Sequence, residues 1–252
     1  MSSGLTYFVT GGNRGLGFAI VKQLAAANHK VIATTRDVAK SVELQKLADS
    51  NSNIHIVKLD LSSIESIEAL DAQISKITDG VDIFISNAAI SDSYYKVTDA
   101  PRDVWVNHYL TNALGPILVF QTLYKYLQKR PTKKVVFIST AAASITQYIP
   151  FPASAYAQSK AALNFSTKEL SSELQPEGFV VIAVSPGLVS TDMGAYGFSQ
   201  IKKLASPEVV DALEKVSVSP EDSSAGVLKL IDGLTEKDNG TFFNYTGEEL
   251  AF

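Results

Sequence analysis

The chain has 252 residues, 46% of them hydrophobic, enough length for a well-buried core and, by length alone, for one or two domains. Its 22 basic and 26 acidic side chains leave a net charge of -4, which provides no electrostatic footprint for nucleic acid or an anionic membrane. There is no cysteine, so disulfides, thiolate nucleophiles and cysteine-ligated metals are excluded; no metal site is expected.

Met1 to Leu5 lead at once into a short apolar strand, with no basic segment followed by a long apolar one. No signal peptide is expected, no apolar run reaches bilayer length, and a cytoplasmic location is the expectation. In chain order, strands are expected at Thr6–Val9, Lys30–Thr35, Ile54–Leu59, Asp82–Ser86, Lys134–Ser139, Phe179–Val184 and Thr241–Asn244. Helical apolar spacing lies between them at Leu16–Asn28, Val38–Asp49, Ile64–Thr78, Asp103–Gln128, Ala155–Leu174 and Pro220–Leu234. Most of the strands are apolar throughout, as when both faces of a sheet are covered. The alternation predicts an α/β fold: a single-domain, Rossmann-type, doubly wound parallel sheet of about seven strands with helices on both faces. The least regular stretch is Asp192–Val218, with Gly194, Gly197 and Pro207 among apolar residues; it reads as a substrate loop or lid.

Two motifs carry chemistry. The run Thr10-Gly11-Gly12-Asn13-Arg14-Gly15-Leu16-Gly17 follows the first strand and opens a helix. Glycine lets the backbone turn tightly and a pyrophosphate approach, and the helix start supplies unpaired N–H groups. Further on, Tyr156 and Lys160 stand four residues apart in a helical run and share one face. An ammonium beside a phenol favours the phenolate, so Lys160 is expected to lower the pKa of Tyr156 and bring its proton into play.

Gly11-x-x-x-Gly15-x-Gly17 together with Tyr156-x-x-x-Lys160 resembles the short-chain dehydrogenase/reductase family, in its order and spacing from about Leu5 onward. The run from Tyr156 to Asn164 is most similar to the fungal carbonyl-reductase-like members. The resemblance implies that Tyr156 is the proton donor or acceptor, and that Lys160 lowers its pKa and holds the nicotinamide ribose. It places the cofactor on Gly11, Asn13, Arg14, Gly15 and Leu16.

Other positions follow from the same resemblance. Asp60 and Leu61, closing the third strand, would meet the adenine; Ser62 and Ser63 compete with Asp60 for the helix-cap role. Ser86-Asn87-Ala88-Ala89 stands where the family has Asn-Asn-Ala-Gly, with Asn87 and Ala88 beside the ribose. Asn112, followed by Gly115-Pro116, would distort its helix and hold a water of the proton relay. The hydroxyl that polarises the substrate carbonyl is ambiguous. Thr140 is the first expectation, Ser139 the second and Ser144 the third, because the sixteen residues from Thr140 to Tyr156 exceed the family's usual spacing. Pro186, Gly187, Val189 and Thr191 would hold the nicotinamide amide or the pyrophosphate.

The second strand ends Thr34-Thr35-Arg36-Asp37. An Arg there suits a 2′-phosphate, and Arg14 adds a second cation, so NADP(H) is expected over NAD(H), with Asp37 as contrary evidence. The expected activity is NADPH-dependent reduction of a small-molecule carbonyl, lined by Tyr94, Tyr95, Tyr148, Phe151, Tyr196 and Phe198. The alternative is a non-catalytic NADP(H)-binding sensor or scaffold. The family's use of the helices at Asp103–Gln128 and Ala155–Leu174 implies a homodimer or homotetramer.

Overall fold

The computed structural model describes residues 4–92, 94–150, 153–204, 210–211 and 214–252. The first half runs β1 (Thr6–Val9), α1 (Gly15–Ala26), β2 (Lys30–Thr35), α2 (Val42–Asp49), β3 (Ile54–Lys58), α3 (Ile64–Glu68), α4 (Leu70–Ile74) and β4 (Ile83–Ser86). Then come α5 (Arg102–Tyr109), α6 (Gly115–Leu127), β5 (Lys134–Ile138), α7 (Ser154–Leu174), β6 (Val180–Ser185), β7 (Leu188–Val189) and α8 (Asp192–Leu204). The remainder is β8 (Ser217–Val218), α9 (Pro220–Gly233), β9 (Phe242–Asn244) and β10 (Glu249–Leu250).

The main sheet has the order β3-β2-β1-β4-β5-β6-β9-β10. It holds eight strands rather than about seven: the seven from β3 to β9 are parallel, and β10 turns back antiparallel on β9. Strand alternation splits the core in two. Tyr7, Val9, Val31, Ile83, Val136 and Ile182 point to one face, where α1 and α9 cover them with Ile20, Leu24, Val227 and Ile231. Phe8, Ile32, Phe84, Val135, Phe137 and Val181 point to the other, under Val119, Leu123 and Leu163 of α6 and α7. Phe8, Phe84 and Phe137 form an edge-to-face ladder across β1, β4 and β5, at 5.9 and 6.1 Å between centroids. Burying each such ring contributes about 1.5–3 kcal/mol.

Three expectations are corrected. The helix read over Ile64–Thr78 is two short helices hinged at Ala69, and Ser63 is the cap, accepting the amide of Ser66 at 3.1 Å. The long helix read over Asp103–Gln128 is two, α5 and α6, joined by a π turn at Leu110–Leu114, the distortion expected at Asn112. The stretch read as irregular from Asp192 is helical to Leu204. Its glycines are packing residues: a Cβ on Gly194 would run into the Val189 carbonyl oxygen, and one on Gly197 into the Tyr94 hydroxyl. Asp192 at the start and Lys202 and Lys203 in the last turn also suit a helix dipole. Residues 205–209 and 212–213 of that stretch lie outside the described residues.

α1 comes down close upon the end of β1 because Gly17 has no side chain. A Cβ there would run into the Gly11 carbonyl oxygen and the Asn87 amide. Gly17→Ala is expected to destabilise the fold by about 1–3 kcal/mol, since backbone cannot give way as a flexible side chain would. Urea unfolding measures this, and an unchanged midpoint would contradict it.

Candidate functional site

The parallel strands all end on the same side, and the strand order reverses between β1 and β4. The chain departs to opposite faces there and leaves a crevice beyond the strand ends. A cavity of about 1230 Å³ occupies that position. It is large enough for an extended dinucleotide together with a small substrate.

The glycine turn forms its floor. Gly11 and Gly15 adopt positive φ of 68° and 56°, and no side chain caps the start of α1. Gly15, Leu16 and Gly17 line the cavity, so the uncapped amides of α1 border it. Asn13 and Arg14 line it too, and the Arg14 guanidinium reaches Asp192 of α8 at 3.3 Å. The two lips nearly touch: a Cβ on Gly15 would lie 3.0 Å from the Thr191 methyl. Asn87 ties the strand ends together, its amide donating to the carbonyls of Thr10 at 3.0 Å and Gly11 at 3.2 Å. In return the Thr10 hydroxyl accepts the amides of Asn87 and Ala88, both at 2.9 Å.

Past β2 and β3 the cavity is lined by Arg36, Asp37, Lys40, Ser41, Asp60 and Leu61. Asp37, the contrary acid, faces Lys40 at 3.5 Å and accepts its amide. Lys40 was not singled out from the sequence; its three-residue distance from Asp37, close behind Arg36, was the available signal. Asp60 accepts the amide and hydroxyl of Ser62 at 3.0 and 2.7 Å. Burial pushes its carboxyl up, but these hydrogen bonds and the charges of Arg36 and Lys58 outweigh that and hold it below the usual range.

At the other end, α7 delivers Tyr156 and Lys160 to the cavity wall, with Ser139 and Thr140 beside them. The Thr140 hydroxyl is near enough to the Tyr156 phenol to oppose the rise of its pKa. Ser139 is buried and gives its proton to Asn164 at 2.6 Å, while Ser144 accepts the Gln147 amide and does not line the cavity. Of the three candidate hydroxyls, Thr140 is the one brought to Tyr156. Asn112 stands behind the wall. It exchanges two 2.9 Å hydrogen bonds with Ile90 and donates to Ser159 at 3.0 Å, and Ser159 in turn donates to the Tyr156 carbonyl. Pro186, Gly187, Val189 and Thr191 line the cavity nearby. Of the expected aromatics, Tyr94 and Tyr148 line it, whereas Tyr95, Tyr196 and Phe198 do not. Phe151 lies outside the described residues.

The electrostatics correct one expectation. Burial, rather than Lys160, dominates at the Tyr156 phenol. Burial pushes that phenol up, the charge of Tyr94 adds to this, and the Thr140 hydroxyl opposes it. The Lys160 ammonium is itself buried and donates to the Ile138 carbonyl at 2.6 Å, and burial lowers its pKa to about 7.

The short chain dehydrogenase family model matches residues 6–202. The chain belongs to that family. An uncharacterized oxidoreductase of Saccharomyces cerevisiae is 46% identical over 257 residues, covering 100% of this chain and 99% of that protein. Among solved structures, the NADPH-bound carbonyl reductase from chicken fatty liver superposes with a TM-score of 0.87 at 31% identity, covering 99% of this chain and 94% of that one. Carbonyl reductase Sniffer of Drosophila melanogaster does so with a TM-score of 0.86 at 28% identity, over 99% and 100%. As a short-chain dehydrogenase the chain is an oxidoreductase of a family that uses a nicotinamide cofactor. Among the described residues, no helix is long and apolar enough to cross a membrane.

The buried lysine has a thermodynamic signature. Its folded-state value of about 7 lies below the ordinary 10.5, so between these the unfolded chain binds the extra proton. Stability from this group therefore rises with pH across that window and is lowest at and below its lower end. Lys160→Met removes the titration. The melting temperature of the natural protein relative to Lys160→Met should climb between pH about 7 and about 9. A difference independent of pH would show that Lys160 does not carry this burial cost.

Proposed function

We propose that this chain is an NADPH-dependent carbonyl reductase. The observation that carries the reading is the joining, within one cavity, of a glycine-rich, uncapped helix start to the Thr140–Tyr156 hydroxyl pair with Lys160 alongside. The similarity to carbonyl reductases supports it.

The residues present fit the cofactor. Gly11, Gly15 and Gly17 leave a cradle in which a Cβ would strike neighbouring atoms, and the amides of α1 would take the pyrophosphate. Arg36 and Lys40, with Arg14 across the turn, would take a 2′-phosphate; Asp37 faces Lys40 at 3.5 Å, which offsets part of the repulsion it would exert. Asp60 and Leu61 would border the adenine, and Asn87 and Ala88 the ribose. Pro186, Gly187, Val189 and Thr191 would hold the nicotinamide end. When bound, the reduced nicotinamide supplies the hydride.

The rest is done by this chain. Thr140 and Tyr156 donate hydrogen bonds to the carbonyl oxygen and polarise the carbon for attack. As the C–H bond forms, Tyr156 gives its proton to the oxygen and the alcohol results. Lys160, one helical turn away, would restore the proton and steady the phenolate, and Asn112 holds the backbone of Ile90 and, through Ser159, of Tyr156 in register. A phenol pushed up by burial keeps its proton throughout the neutral range, so the protonated form meets the substrate.

Tyr156→Phe should lose at least about a hundredfold in turnover and still quench its fluorescence with NADPH. Near-normal NADPH oxidation in that variant would remove Tyr156 from the role. Arg36→Ala should raise KM for NADPH about tenfold or more and change KM for NADH little, as expected when one charge-assisted phosphate contact is lost. Steady-state rates check this, and preference of the natural protein for NADH would overturn the cofactor assignment. In the reverse direction, alcohol oxidation should accelerate with rising pH, because Tyr156 must first be deprotonated; a stopped reaction followed at NADPH absorbance gives the profile.

A further inference from the structure

α8 turns one face to the cavity through Met193, Gly197 and Ile201, spaced four residues apart. Its middle position is the smallest. Tyr94, from the segment after β4, fills that notch: a Cβ on Gly197 would run into its hydroxyl. The Tyr94 ring meets Tyr196 edge-on at 5.5 Å and 74°, and its hydroxyl lies 3.1 Å from the Ser91 hydroxyl. The ring is thus fixed from both sides while it lines the cavity.

We propose that Tyr94, seated on Gly197, is a specificity-determining residue that holds the apolar, ring-bearing half of a ketone opposite Thr140 and Tyr156. The position fits: Tyr94 lines the same cavity as Thr140 and Tyr156. The chemistry fits as well. Met193 and Ile201 make that end apolar, and a rigid aromatic edge recognises a flat ring better than a small polar aldehyde. The inference rests on the carbonyl-reductase reading and names the substrate class it would serve.

The test compares kcat/KM for an aryl methyl ketone with that for a three-carbon aldehyde, using the full chain and NADPH. Tyr94→Ala should lower the ketone-to-aldehyde ratio about tenfold or more, mainly through KM for the ketone. Tyr94→Phe keeps the ring and should keep the ratio. Gly197→Ala displaces the ring and should lower the ratio as well, but not further in a Tyr94→Ala background, where there is no ring to displace. Melting temperatures and NADPH fluorescence titrations of the same variants separate a loss of fold or of cofactor from a loss of selectivity. An equal fall on both substrates, or a Gly197→Ala effect that persists without Tyr94, would overturn the inference. A natural protein that binds NADPH yet reduces neither carbonyl overturns the carbonyl-reductase reading itself, a failure visible before any variant is made.

Discussion

The site depends on how the ends of β1 and β4 are held together where the chain leaves them in opposite directions. Parting strands expose backbone groups that a crevice would leave unpaired, at a cost of roughly 1–3 kcal/mol each. Here two side chains answer for them. Thr10 accepts two amides of the β4 end, and Asn87 donates to two carbonyls of the glycine turn. The turn can therefore keep its positive φ values and its close packing at the cavity floor.

The Tyr156–Lys160 end of the cavity shows the opposite device, a charge held where it is costly. Lys160 is almost wholly removed from solvent and has one strong acceptor, the Ile138 carbonyl. Such an ammonium loses hydration that a single hydrogen bond does not restore, which is why its proton is loosely held. A group of this kind responds strongly to any further oxygen brought within reach. The fold thus sets a loosely held proton beside a phenol that burial keeps protonated.

Much of this was legible in the residues. The apolar strands announce a sheet covered on both faces, and the Gly11–Gly17 and Tyr156–Lys160 spacings place both ends of one cavity. What escaped was set by tertiary contact. Gly194 and Gly197 read as loop residues, although they are small because Val189 and Tyr94 press against them within a helix. Asp37 read as a threat to phosphate until Lys40 was seen to face it. That Ser139 donates to Asn164, twenty-five residues on, was likewise hidden in the sequence. The direction of the Tyr156 shift was misjudged because adjacency on a helix says nothing of how deeply both groups are sunk.

The short returning strand β10 has a consequence for the molecule as a neighbour of its own copies. A parallel sheet that stopped at β9 would present an open row of backbone donors and acceptors to any passing strand. β10 satisfies that border in the reverse sense, and it is two residues long, with Glu249 exposed on it. A margin two residues long with an exposed carboxylate leaves little unpaired backbone at that rim.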